Sequence, residues 1–167
     1  MGYKVFVSHS TKDRNLVLNI RNQLKRAGVN VYLAEEHPQP GMNLPQKIIN
    51  NIKSADCMVV VLTDTGVRSQ FVNQEVGAAR SINKPIIPMV EKKVKGKIGG
   101  LLAGLELIIF DKAKPKQAIR EVSSYVSRLK LTLELEMKER EDALITIAVI
   151  TFTVFFAILL YFTLRKK

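Results

Sequence analysis

At 167 residues the chain is long enough for one domain with a proper core and little more. Its formal charge of +11 falls to +8 on residues 1–142 once the three basic residues of the tail are set aside, a balance open to nucleic acid, anionic lipid or an anionic small molecule. Most Lys and Arg are scattered along helical patterns, and the one dense run, "EKKVKGK" (91–97), has no interleaved aromatics for base stacking, which argues against nucleic acid and fits an anionic membrane surface better. The single Cys57 lies in an apolar run, so a disulfide framework is excluded and a reducing compartment is expected.

In chain order, "YKVFVS" (3–8) reads as a buried strand preceded by no signal peptide, and Phe6 breaks a myristoylation pattern. "STKDRNLVLNIRNQLKRAG" (10–28) opens with Ser10 and Asp13 in capping-box spacing, carries Leu16, Ile20, Leu24 and Ala27 on one stripe, and ends at Gly28. "VNVYLA" (29–34) is a second strand, followed by a loop, "EEHPQPGMN" (35–43), with two prolines and a glycine. "LPQKIINNIKSA" (44–55) is a helix with proline near its first turn. "CMVVVLT" (57–63), the longest apolar run before the tail, is expected to be a central parallel strand. "SQFVNQEVGAARSI" (69–82) is a third helix, and "PIIPMV" (85–90) a fourth strand, expected near an edge because of its prolines. "LELIIF" (105–110) is a fifth strand and "KPKQAIREVSSYVSRL" (114–129) a closing helix. Strands alternating with helices at this spacing predict a flavodoxin-like, doubly wound α/β fold with a five-stranded parallel sheet.

The remainder divides into a membrane-proximal segment (130–142), an apolar span (143–164) and a short basic tail (165–167). Over "LKLTLELEMKERED" (129–142), Leu129, Leu131, Leu133, Leu135 and Met137 alternate as in a strand, but the strong helix formers around them predict a helix with two apolar flanks, suited to packing against copies of itself. "ALITIAVITFTVFFAILLYFTL" has no charge, proline or glycine over 22 residues, enough for a helix to cross a hydrocarbon layer roughly 30 Å thick. A buried core helix fits it poorly, because no face is polar. Basic residues nearly balance on the two sides, so orientation rests on the missing signal: a tail-anchored protein in the bilayer with residues 1–142 cytoplasmic.

Ligands of open parallel sheets bind outside the carboxyl ends of the strands. There the chain places Ser8, His9 and Ser10 after strand one, Ala34, Glu35 and Glu36 after strand two, and Thr63, Asp64 and Thr65 after strand three. Phe71 and Glu75, four apart near the start of the third helix, share a helical face beside that crevice. "SHSTKD" has no glycine, which excludes a Rossmann dinucleotide site; Ser8 and His9 cannot replace the acids of a phospho-accepting receiver. One Cys and two distant His exclude a zinc site, so no metal and no resident cofactor is expected, and no nucleophile elbow appears.

"VFVSHSTKD" (5–13), "AGVNVYLAEEHPQPG" (27–41), "LPQKIINNIKSADCMVVVLT" (44–63) and "SQFVNQEVGAA" (69–79) follow one another in a distinctive order. In this the chain resembles the TIR domain, especially its short microbial branch, over residues 1–129. The resemblance implies one of two functions. Many microbial TIR domains hydrolyse or cyclise NAD, releasing nicotinamide, often as an anti-phage alarm; others only assemble with TIR partners. In the catalytic members a glutamate early in the third helix is essential, with an aromatic four positions before it, here Glu75 and Phe71, with Phe in place of the more frequent Trp. The loop ending at Pro40 and Gly41 matches the one that gates the site and mediates assembly, and Ala34 stands where the family often has Asp, with Glu35 following. NAD is then substrate rather than cofactor. Glu75 would hold ribose hydroxyls and stabilise an oxocarbenium-like centre, nicotinamide leaving without a general acid. Phe71 would be an apolar wall, and Ser8, Ser10 and nearby backbone would meet phosphates, with His9 alongside. Self-association through TIR domains is implied, since sites in this family are completed by a neighbouring copy. The rival reading is a non-enzymatic adaptor that recruits other TIR proteins to the membrane; a third makes the apolar helix the effector and the TIR domain its sensor.

Overall fold

A computed structural model describes residues 2–33, 44–98 and 100–165. The elements are β1 (Lys4–Ser8), a 3-10 turn (Thr11–Asp13), α1 (Arg14–Arg26), β2 (Asn30–Tyr32), α2 (Leu44–Ser54), β3 (Cys57–Leu62), α3 (Gln70–Ser81), β4 (Ile86–Glu91), 3-10 segments at Lys92–Lys97 and Gly100–Leu102, β5 (Ile108–Phe110) and α4 (Lys116–Leu164). The chain separates into a compact unit, Met1–Ser127, and a second, Arg128–Lys167.

In the first unit five parallel strands are ordered β2-β1-β3-β4-β5. Every residue of β3 is buried, as expected of a central strand covered on both faces. Alternation sends Phe6, Met58, Val60, Leu62 and Val90 into one core with Tyr32, Ile52, Val72, Val76 and Ala79, which brings α2 and α3 onto that face. Val5, Val7, Val59, Val61 and Met89 alternate with them and are buried on the other side of the sheet. α1 buries Leu16, Val17, Ile20 and Leu24, the predicted stripe with Val17 added in place of Ala27, and Gly28 at φ 69° ends it in the left-handed conformation that glycine adopts without steric cost.

One expectation holds and two need correction. β4 lies near an edge, as the second strand from the β5 end of the sheet. Its pairing with β5 starts only at Met89, so Ile86, Ile87 and Pro88 have a ladder partner on the β3 side alone, and an imide nitrogen is tolerated there. β2 and β5 are shorter than their apolar runs. Ser10 and Asp13 form no capping box: the Ser10 hydroxyl accepts from the Lys12 N–H, while the Asp13 carboxylate makes no cap and turns inward. Two hydroxyls and an ammonium hold it there instead of the backbone of the helix start.

The second unit is helical from Arg128 through Leu164, so the alternating leucines lie on a helix, with Leu131, Leu135 and Met137 exposed. α4 contains a stretch of mean hydropathy 2.8, none of it buried, which is long and apolar enough to cross a membrane by length and composition. Within it the hydroxyls of Thr146, Thr151, Thr153 and Thr163 each bond a backbone carbonyl three or four residues earlier, at 2.8–2.9 Å. These four hydroxyls are thereby satisfied within the helix.

Because Ile20 is fully buried between α1 and the sheet, Ile20→Ala is expected to lower unfolding free energy by about 2–5 kcal/mol, read by denaturant titration of the full chain in detergent.

Candidate active site

Ser8 is the last residue of β1, two beyond Phe6, so period-2 alternation turns its side chain to the face that α3 covers. α3 starts at an N-cap, Ser69, whose hydroxyl accepts the Val72 N–H at 3.3 Å. Glu75 falls a turn and a half into the helix, among the buried Val72, Val76 and Ala79. The Ser8 hydroxyl donates to Glu75 Oε2 at 2.5 Å, joining residues 67 apart in the chain. This is the short range of an O–H on a carboxylate.

Two opposed effects set the charge of Glu75. Burial, the larger, raises its pKa and the Ser8 hydrogen bond lowers it, and together they leave it at about 7 instead of 4.5. Glu75 is therefore half ionised near neutrality, and is not the solvated helix-start acid that an exposed position would give. Tyr32, at the end of β2, stacks on Phe6 with ring centroids 5.6 Å apart, and the Lys4 ammonium lies 5.4 Å from its ring centre. Burial raises the Tyr32 pKa and the nearby Glu75 charge raises it further, which keeps the phenol protonated. Sequence reasoning missed Tyr32, whose β-strand propensity and apolar neighbours read as plain core.

The other expected site residues divide. His9 and Ser10 are half-buried on the turn after Ser8, and His9 Nδ1 lies 3.2 Å from the Val7 carbonyl, a contact that is a hydrogen bond when Nδ1 carries a proton. Phe71 is 62% exposed, so its ring does not pack into the core. Ala34, Glu35, Pro40 and Gly41 lie outside the described residues. Among the described residues no cluster of His, Cys, Asp or Glu could hold a metal ion.

A second polar cluster sits at the same carboxyl edge. Asp13 Oδ2 accepts from Thr63 Oγ1 at 2.5 Å and Thr65 Oγ1 at 3.0 Å, and Lys112 Nζ lies 2.9 Å from Oδ1. Glu91, also buried, accepts the Asp64 N–H at 3.3 Å and pairs with Lys93 at 3.2 Å, while Asp64 pairs with Arg68 and Lys97. The threonines were visible as strand-end polar residues; Lys112, 99 residues from Asp13, carried no local signal.

The buried acid has a consequence for stability. Between pH 4.5 and about 7 the folded chain retains a proton on Glu75 that the unfolded chain has lost, so this group lowers stability as pH rises through that window. Glu75→Gln removes the effect and keeps an acceptor for Ser8. The variant is expected to exceed the parent in stability by roughly 3 kcal/mol at pH 8, the gap closing toward pH 4.5, in chemical denaturation at the two pH values.

A profile of the TIR domain matches residues 5–123. The chain is 34% identical over 74 residues to a probable 2' cyclic ADP-D-ribose synthase, TcpO, of Methanobrevibacter olleyae, covering 44% of this chain and 22% of that protein. It is 30% identical over 101 residues to the 2' cyclic ADP-D-ribose synthase AbTIR of Acinetobacter baumannii, covering 58% and 38% respectively. The chain thus spans well under half the length of either relative. In fold it is similar to the TIR domain of the Toll-related receptor TRR-2 of Hydra magnipapillata, with TM-score 0.61, 16% identity and 75% and 98% of the two chains covered. It is also similar to the CMP N-glycosidase BcmB of Clostridium botulinum, with TM-score 0.57, 20% identity and 73% and 98% covered. At these identities the two structures speak for the fold alone.

Proposed function

The chain belongs to the TIR domain family, and from that premise we propose that it cleaves the bond between nicotinamide and ribose in NAD, with Glu75 as the catalytic residue. The observation that carries this reading is a carboxylate shielded from water at the carboxyl edge of the sheet, held by Ser8 and ionising near neutrality. The names of the two cyclic ADP-ribose synthases support it.

In the proposed reaction the C–N glycosidic electron pair passes to the pyridinium nitrogen, so nicotinamide leaves neutral and needs no acid. Positive charge develops at the ribose, and an ionised Glu75 stabilises it. Water then captures the cation to give ADP-ribose, or a hydroxyl of the same molecule does so to give a cyclic product; the capturing hydroxyl loses its proton, for which Glu75 is a fitting acceptor. Phe71 offers a flat ring, and Ser10 and His9 extend the polar rim on the β1 side.

We place the TIR domain in residues 1–129 and a membrane anchor in 143–164, joined by the helix of 130–142. An anchor in the bilayer raises the local concentration of domains in two dimensions and favours the self-association that completes a TIR site. One observation favours the alternative, a non-enzymatic adaptor for other TIR proteins at the membrane: an aromatic ring as exposed as Phe71 is also what a protein contact would use.

The full chain in lipid nanodiscs, incubated with NAD, separates the two. Nicotinamide release that Glu75→Ala lowers by about a hundredfold or more is expected. No turnover under assembling conditions, or equal turnover in the variant, sinks the enzyme reading.

A further inference from the structure

The carboxylate of Asp13 is fully buried, unlike most aspartates at helix starts. Leaving an ionised carboxylate out of water is costly unless donors surround it, and here three do, each from a different position in the chain. Thr63 and Thr65 belong to the turn after β3, and Lys112 to the turn after β5. Asp13 itself closes the turn after β1, its N–H bonded to the Ser10 carbonyl at 2.8 Å. One side chain therefore ties together three of the turns at the carboxyl edge.

The tie is reinforced at its Thr63 end. Thr63 Oγ1, besides donating to Asp13, accepts the Gly66 N–H at 3.2 Å. A Cβ on Gly66 would come within 2.7 Å of the Val61 carbonyl oxygen, so the turn passes close against the end of β3. Between the anchored Asp13 and the end of β1 lie only His9, Ser10, Thr11 and Lys12, and the residue at the strand end is Ser8, the donor to Glu75.

We propose that Asp13 is a positioning residue of the candidate active site: bound by Thr63, Thr65 and Lys112, it fixes the turn from Ser8 to Asp13 so that the Ser8 hydroxyl stays on Glu75 and His9 and Ser10 keep their places on the rim. Its catalytic consequence rests on the NAD-cleaving reading; its geometric consequence does not. Asp13 reaches no reacting atom and acts through the turn alone.

Among the described residues the group that bears on the Glu75 charge is the Ser8 hydroxyl from β1, while the Tyr32 phenol from β2 stays neutral as Glu75 titrates and is itself shifted by the Glu75 charge. If the turn loosens, Glu75 loses the hydroxyl that favours its ionised form while its burial remains, so its titration midpoint moves up. Asp13→Asn keeps shape and one acceptor but loses the charge that Lys112 pairs with. Lys112→Met removes only the ammonium arm.

The experiment uses the full chain in detergent micelles, labelled with ¹³C at glutamate carboxyls, with the Glu75 signal assigned by its disappearance in Glu75→Gln. In Asp13→Asn the Glu75 midpoint is expected to rise by half a unit or more from about 7, with Lys112→Met moving it less and both variants keeping the parent's circular dichroism. In the nanodisc assay kcat is expected to fall about tenfold with KM changed less than about threefold. An unchanged midpoint in a folded Asp13→Asn chain overturns the proposal, whether or not the parent releases nicotinamide. Should Asp13→Asn fail to fold, Thr65→Val loosens the same tie by one hydroxyl, and an unmoved midpoint there overturns it equally.

Discussion

The removal of one carboxylate from water governs the site. Glu75 lies on a helix face built for the core, and the hydroxyl at the end of β1 is the contact that makes its ionised form tolerable there. Burial and the Ser8 bond act in opposite directions on its proton, and burial wins. The result is an acid poised between charged and neutral at physiological pH, at the strand edge where parallel sheets bind ligands. A group in that condition costs stability, which is the usual mark of a residue kept for chemistry rather than for packing.

Everything that positions the pair follows from ordinary rules of α/β architecture. One residue of strand, Val7, separates Phe6 from Ser8, so the ring fills the core under α3 and the hydroxyl meets Glu75 at its rim. Ser69 caps α3, and along the face that Phe71 and Glu75 share, Glu75 is buried while Phe71, the second residue of the helix, is mostly exposed. Asp13 sits at the other end of the same turn, bound by three donors.

Much of this was legible in the sequence because it is local. The apolar run of β3, the stripe of α1, the polar residues at strand ends and the Phe71–Glu75 spacing each depend on near neighbours. Pro88 pointed to a place near the edge, and β4 is the penultimate strand, with Ile86, Ile87 and Pro88 paired on the β3 side alone. Asp13 misled because the spacing of Ser10 and Asp13 satisfies a local motif, while its actual partners, Thr63, Thr65 and Lys112, come from turns that meet only when the sheet closes. Tyr32 was hidden for a related reason: a tyrosine in a strand reads as core until the helix that brings an acid beside it is in place. The relation of Glu75 to Ser8 could be placed at one edge but not as a hydrogen bond, since 67 residues separate them.

The most direct measurement is the pH dependence of nicotinamide release from NAD by the full chain in nanodiscs, from pH 5 to 9. An ionised Glu75 as the reacting group predicts a rate that climbs through an inflection near pH 7 and levels off above it, with no such inflection in Glu75→Gln. A rate that is flat across this range, or that falls as pH rises through 7, contradicts a buried, half-ionised Glu75 at the centre of the chemistry.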